Sequence, residues 1–241
     1  MRELTSTVGI DRNLTNITSG NDESIIYYDM TGAADIAENT RSIVKSFKRN
    51  DVRIQRSLSS KYGRRRSERI NQIIHHVTKD IIHKAKTKHQ AVVLEEINGI
   101  RKLYRKGNGQ GPNFRGKMDS WPFHEVKRQI EYKAAWEGVP VITLTKVETR
   151  GATMDCPRCG ERLQVPVRGD SEHYRQLWCE VCKKWRDRDL VAVLNISRRG
   201  RLRFDRSSKE GEATEAVKGN AEHEGQPLIL RVDASKLQIL E

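Results

Sequence analysis

Along the first thirty residues the apolar positions follow a short, strand-like rhythm, and from about residue 33 the rhythm becomes helical. TSTVGID (5–11), LTNITS (14–19) and SIIYYDM (24–30) are β-branched runs separated by polar or Gly/Asn turns, which predicts three consecutive antiparallel strands. Between about 33 and 89, Ile70, Ile73, Ile74, Val77, Ile81 and Ala85 recur at helical spacing, and Ser59-Ser60-Lys61-Tyr62-Gly63 reads as a break. The expectation is a hairpin of two long helices, with Arg64, Arg65, Arg66 and Arg69 opening the second. AVVLEEI (91–97) is a short apolar run, hence a buried strand. The Gly-, Lys- and Arg-rich stretch 100–118 reads as loop. Asp119-Ser120-Trp121-Pro122 suits a helix start, Phe123, Val126, Ile130 and Ala134 mark one buried face, and Gly138 suits a helix end. VPVITLT (139–145) is another strand, and a further helix spans about 189–199.

Three strands, helices, strand, helix, strand, helix is the order of an α/β layered domain with a mixed sheet, as in a ribonuclease-H-like fold. The mixed-charge stretch 205–227 has almost no large apolar groups and is expected to be disordered. The final LILRVDASKLQILE reads as a strand or a short helix.

Charge narrows the choice of partner. The 241 residues are 36% hydrophobic and 32% charged, with a net charge of +13, which favours a polyanionic partner. Residues 41–90 hold fifteen Lys/Arg against three acids, and 101–118 hold six with no acid. No basic helix has the Trp/Phe/Leu-rich opposite face of a membrane-surface helix. No apolar run approaches the roughly 18 residues of a membrane span, and MRELTSTVGID lacks a signal-peptide core. The expectation is a soluble, cytoplasmic protein that faces nucleic acid and not a membrane. Arg64, Arg65, Arg66 and Arg69 on the helical segment, with Arg101, Lys102, Arg105 and Lys106 in the loop, are the candidate backbone contacts.

All four cysteines lie between residues 156 and 182. Cys156-Pro-Arg-Cys159 and Cys179-Glu-Val-Cys182 are separated by nineteen residues, a spacing that lets two knuckles close tetrahedrally on one zinc. Four thiolates leave no open position, so the ion is structural. Such a module is a scaffold, and Arg158, Arg162, Lys183 and Lys184 give it a face for nucleic acid.

Three acids stand out by position: Asp11 at a strand end, Glu95 in an otherwise apolar strand, and Asp189 opening an apolar helix. Each has an ordinary explanation: a turn residue, an edge residue and a helix N-cap. A carboxylate buried within VVLE, however, needs a partner or a metal. In the expected fold the strands of Asp11 and Glu95 are neighbours and the last helix crosses their ends. Three carboxylates meeting there suit two Mg²⁺ about 3.5–4 Å apart, which activate water and stabilise the leaving oxygen of a phosphodiester. Glu95 and Glu96 point to opposite faces, so only one serves. Spacing does not decide between Asp187 and Asp189.

VGID, VVLEEI, a WPF…YK helix, CPRCG, CEVC and RDRDLVAVLNI occur here in an order that resembles the TnpB (OrfB) proteins of bacterial and archaeal insertion sequences, relatives of the small type V CRISPR nucleases. The resemblance covers nearly all of residues 5–200. It implies a RuvC-like nuclease domain with an inserted zinc ribbon, in which Asp11, Glu95 and Asp189 bind catalytic Mg²⁺. It further implies transposon-encoded DNA cleavage with guide RNA and target DNA as partners. The implied division is a nuclease core over 1–150 with the helical hairpin at about 33–89, a zinc ribbon over 151–186, the last catalytic helix over 187–200, and a largely disordered tail over 201–241. Val191 and Val193 stand where the family commonly has Asn and Ala. Relatives carry an N-terminal β-barrel and a helical recognition domain ahead of the nuclease. The expectation is therefore a truncated or split form that works with a separate N-terminal recognition domain or the element's transposase. The alternative is a catalytically inactive RNA/DNA-binding module of the same family.

Overall fold

Alternation along STVGIDR decides the architecture. This segment is strand β1 (Ser6–Arg12), and its two faces meet different helical layers. The computed structural model describes residues 6–47, 51–97, 99, 109, 111–167, 169–208 and 227–237. Within them, β2 (Asn16–Gly20) and β3 (Ser24–Asp29) turn back antiparallel from β1. Helices α1 (Thr31–Ser46) and α2 (Val52–Thr87) lead to β4 (Gln90–Glu95). Then come α3 (Pro112–Ser120), α4 (Phe123–Glu137) and β5 (Val141–Leu144). The ribbon hairpin β6 (Gln176–Cys179) and β7 (Lys184–Asp187) precedes α5 (Arg188–Ser208) and β8 (Leu228–Asp233).

The main sheet has the order β5-β4-β1-β2-β3-β8. The β1–β4, β4–β5 and β3–β8 pairs are parallel, so the sheet is mixed as expected. Val8 and Ile10 join Val92 and Leu94 of β4 in a core with Ile74, Val77 and Ile81 of α2 and Val126 and Ile130 of α4. The opposite face carries α5. There the Thr7 hydroxyl donates to the Ser197 carbonyl at 2.9 Å, and Val93 and Ile25 pack against Ile196 and Val193 respectively. Strand alternation therefore puts Asp11 and Glu95 on the side of the sheet covered by α5.

Gly9 makes the close approach of α5 possible. A Cβ there would lie 2.4 Å from the Val193 carbonyl oxygen and 2.7 Å from the Ser197 nitrogen. Both neighbours are helix backbone, so neither can swing away. Gly9→Ala is expected to cost about 2–3 kcal/mol, read as a lower urea midpoint for the whole domain. An unchanged midpoint would mean that α5 is loosely seated.

Three expectations need correction. The helical break lies not at 59–63 but between α1 and α2, where the Asp51 side chain accepts the Arg53 N–H at 2.8 Å as an N-cap. Gly63 remains helical with open space around its Cα, at a cost of about 1 kcal/mol relative to Ala. Arg64, Arg65, Arg66 and Arg69 therefore sit inside α2, not at its start. In the stretch read as loop, Pro112 opens α3 at a position that needs no N–H. Asp119-Ser120-Trp121-Pro122 then joins α3 to α4, because the residue before a proline is held extended. Finally, α5 continues to Ser208, through 205–208 that read as disordered, and Leu228–Asp233 pairs with β3 as a strand. Residues 209–226 and 238–241 of the expected tail lie outside the described residues.

Candidate functional site

Where β7 ends and α5 begins, two aspartates divide two jobs. Asp187 Oδ1 accepts the N–H groups of Asp189 (2.9 Å) and Leu190 (3.1 Å), which makes Asp187 the N-cap. It also accepts the Tyr27 hydroxyl at 2.9 Å, and its charge together with burial pushes the Tyr27 phenol up. Asp189, two residues further on, is free of capping duty and buried. Its side chain faces the end of β1: Asn13 Nδ2 donates to Asp11 Oδ2 at 2.8 Å and to Asp189 Oδ1 at 3.2 Å, bridging the two acids. Asn16 Nδ2 donates to Asp189 Oδ2 at 2.8 Å.

Asp11 is 8% exposed. Burial first, then the charges of Glu95 and Asp189, pushes its carboxyl up to about 7, against smaller opposing effects of Asn13 and Arg12. Burial likewise pushes the Glu95 carboxyl up, opposed by Arg12. Glu95 is half-buried at the end of β4, and Glu96 is exposed on the other side. Behind them Arg12 is buried, donating to the Glu95 carbonyl and, at 3.4 Å, to the Phe123 carbonyl. Hard oxygen donors with mutually repelling charges suit a divalent cation such as Mg²⁺. The acids are not, however, drawn into one tight cluster. Among the described residues, only the four cysteines form a set of metal-ligand side chains with all ligand atoms within 4.8 Å of one another.

Those cysteines fit zinc. The Cys156–Cys182 sulfur distance is 3.9 Å and the Cys159–Cys179 distance 3.5 Å, near the edge of about 3.8 Å that a tetrahedron with Zn–S of about 2.3 Å requires. The first knuckle closes through Gly160 N–H to the Cys156 carbonyl (2.8 Å), with Gly160 at φ 76. In the second, the Cys182 N–H donates to Cys179 Sγ at 3.3 Å. The ribbon is seated on α5. Val191 packs among Cys156, Leu163, Leu177 and Cys179, and Asn195 Nδ2 donates to the carbonyls of Ala152 and Asp155, both at 2.7 Å. Val191 therefore floors the ribbon.

Residues 123–196 match the family profile described as the Cas12f1-like TNB domain. A TnpB-like protein of Methanocaldococcus jannaschii is 27% identical over 193 residues, 73% of this chain and 65% of the relative. Cas12f1, solved by cryo-EM in complex with sgRNA and target DNA, superposes with a TM-score of 0.56 at 18% identity. That match covers 82% of this chain and 50% of the Cas12f1 chain. The chain is thus similar to TnpB-like and Cas12f1-like proteins. Its sheet and helices have the RuvC-like fold of Cas12f1, and it spans 65% of the curated relative's length and half of the solved chain.

In this chain Asp11 and Asp189 are brought together through Asn13, while Glu95 is near enough for its charge to act on Asp11. Arg64, Arg65 and Arg69 are exposed and Arg66 is half-buried on α2, with Arg64 3.8 Å from Glu68. Arg101, Lys102, Arg105 and Lys106 lie outside the described residues. Among the described residues no helix is long and apolar enough to cross a membrane. Sequence reasoning missed Asn13, Asn16, Arg12 and Arg175. The first three had a signal in their closeness to Asp11. Arg175 had none, because thirteen residues and a β-hairpin separate it from Asp189.

Proposed function

We propose that this chain carries a metal-dependent DNA endonuclease centre of a transposon-encoded TnpB-like protein, with Asp11, Glu95 and Asp189 as the catalytic, Mg²⁺-holding residues. One observation carries the reading: a buried Asp11 whose carboxyl is pushed to about 7 by burial and by the two other acids of the set. A protein keeps such repulsion where a cation or a proton has work to do. Mg²⁺ bound there supplies an activated water and stabilises the leaving oxygen of a phosphodiester by a two-metal mechanism.

The chain's own groups have distinct parts. Asp11 and Glu95 stand on adjacent parallel strands, so the sheet sets their spacing. Asn13 orients Asp11 toward Asp189. Arg12 ties the end of β4 to the start of α4 and keeps Glu95 from drifting. Arg64, Arg65, Arg66 and Arg69 take backbone phosphates of guide RNA or target DNA, with Arg101, Lys102, Arg105 and Lys106 as a second contact. The four cysteines hold a structural zinc that keeps the ribbon against α5. Guide use is supported by the sgRNA and target DNA in the Cas12f1 complex. A separate N-terminal recognition domain, or the element's transposase, is a further partner on this reading.

A second reading has its own observation. Both oxygens of Asp189 are engaged by Arg175, as suits an inactive RNA/DNA-binding module of the same family. The two readings separate when the purified chain is given single-stranded and guide-paired DNA with and without Mg²⁺, alongside an RNA-binding measurement. Cleavage that appears with Mg²⁺ and vanishes with chelator is expected. RNA binding with no cleavage under Mg²⁺ or Mn²⁺ would establish the binding module instead.

A further inference from the structure

Asp189 is the one acid of the three with a guanidinium laid against it. Arg175 Nη2 lies 2.7 Å from Oδ1 and 2.8 Å from Oδ2, so a single nitrogen spans both oxygens. Asn13 on Oδ1 and Asn16 on Oδ2 are the other side-chain donors to this carboxylate among the described residues. The exposures are unequal: the Asp189 side chain is 8% exposed and that of Arg175 43%. Arg175 thus lies on the solvent side, over the oxygens that a metal would take.

Arg175 does not belong to the sheet that presents the acids. It ends a turn of the ribbon in which Asp170 accepts the N–H groups of Glu172 (3.0 Å) and His173 (3.2 Å), and His173 stacks on Trp185 with ring centroids 3.9 Å apart. The Arg175 backbone is left-handed, with φ 70, a conformation that non-glycine residues adopt seldom and mostly under constraint. Its carbonyl accepts the Arg188 N–H at 3.0 Å, so main chain and side chain together clasp the first turn of α5.

The two oxygens of a carboxylate offer about four acceptor sites, and Arg175, Asn13 and Asn16 place two donors on each oxygen of Asp189. A divalent cation must therefore displace a donor, and its charge repels the guanidinium at that range. A guanidinium also pairs readily with phosphate, often through two parallel hydrogen bonds. We propose that Arg175 is a displaceable gate on Asp189: it blocks metal at this carboxylate until a backbone phosphate of the entering strand draws the guanidinium away. The inference rests on the three acids being a metal centre, and it adds that strand entry and metal loading are coupled through the ribbon.

The test is Mn²⁺ binding to the full zinc-loaded chain, followed by the electron paramagnetic resonance signal of free Mn²⁺, with and without a single-stranded DNA oligonucleotide. Arg175→Gln is expected to bind Mn²⁺ about ten-fold more tightly than wild type, and Arg175→Lys a few-fold more tightly, because its ammonium makes a single point contact. The oligonucleotide should tighten Mn²⁺ binding in wild type by a larger factor than in Arg175→Gln. A residue that only braces the ribbon would give equal or weaker binding on removal, and that result overturns the gate. Should Arg175→Gln fail to fold, as judged by zinc content and melting temperature, Arg175→Lys decides on the same sign. An Asp11→Asn control separates the two layers of the argument. Mn²⁺ binding indifferent to Asp11→Asn defeats the metal centre itself. Binding that needs Asp11 but does not tighten in either Arg175 variant defeats the gate alone.

Discussion

Cys179→Ser is expected to strip the zinc and unfold the ribbon while leaving the six-stranded sheet intact. Cys179 is fully buried at the end of β6, and its sulfur both completes the four-sulfur set and accepts the Cys182 N–H. Without the ion, the apolar cluster of Cys156, Leu163, Leu177, Cys179 and Val191 is too small to hold some thirty residues in place. Zinc in small modules of this kind contributes about 10–16 kcal/mol, most of it folding free energy. Zinc per chain should fall from one to near zero, and trypsin should begin to cut between 151 and 186. Arg175 would leave Asp189 at the same time, since only the folded turn holds it there. A variant that keeps its zinc, or whose sheet melts together with the ribbon, would contradict a scaffold role confined to this module.

The second large effect is a gain in stability. The folded Asp11 carboxyl titrates at about 7 against the usual 3.8. A raised folded-state pKa means that the native state holds a proton the unfolded state has lost. This contribution is fully present below about pH 4 and is lost as pH rises through 7. The difference is on the order of 4 kcal/mol above pH 7, since Asp11 is nearly out of reach of solvent screening. Asp11→Asn removes the repulsion while still accepting from Asn13. Above pH 7, without divalent ions, the variant should be more stable than wild type by up to that amount, and near pH 4 the two should converge. Mg²⁺ should narrow the gap from the wild-type side. Urea titrations at pH 4.5 and 8 measure it, and a variant less stable at pH 8 would show that Asp11 is not under electrostatic strain.

The alternation in VGID and VVLEE was enough to place Asp11 and Glu95 on one side of the sheet, because a strand's period is strict. The cysteine spacing was equally legible, since two knuckles close on one ion with little freedom. Asp187 and Asp189 were not separable by spacing: both lie at the helix start, and only the hydrogen bonds of the first turn identify Asp187 as the cap. The break in the helical hairpin was misplaced because Gly63 is an ordinary helix residue on an exposed arm, where its cost is small. β8 was ambiguous because its pairing with β3 is long-range and its Leu228, Ile229 and Leu230 are all exposed, so no one-sided pattern marks it. Arg175 depends on a ribbon turn folded back over α5, a tertiary fact without a local signature.

Because Asp11→Asn should be at least as stable as wild type at pH 7.5, it separates folding from chemistry. Cleavage of guide-paired DNA with Mg²⁺ is therefore to be compared between wild type and Asp11→Asn, each carrying its full zinc. The expected result is a loss of at least about 10³-fold in the variant, equivalent to some 4 kcal/mol of transition-state stabilisation. Cleavage at the wild-type rate by a folded, zinc-loaded Asp11→Asn would contradict a metal centre built on Asp11, Glu95 and Asp189.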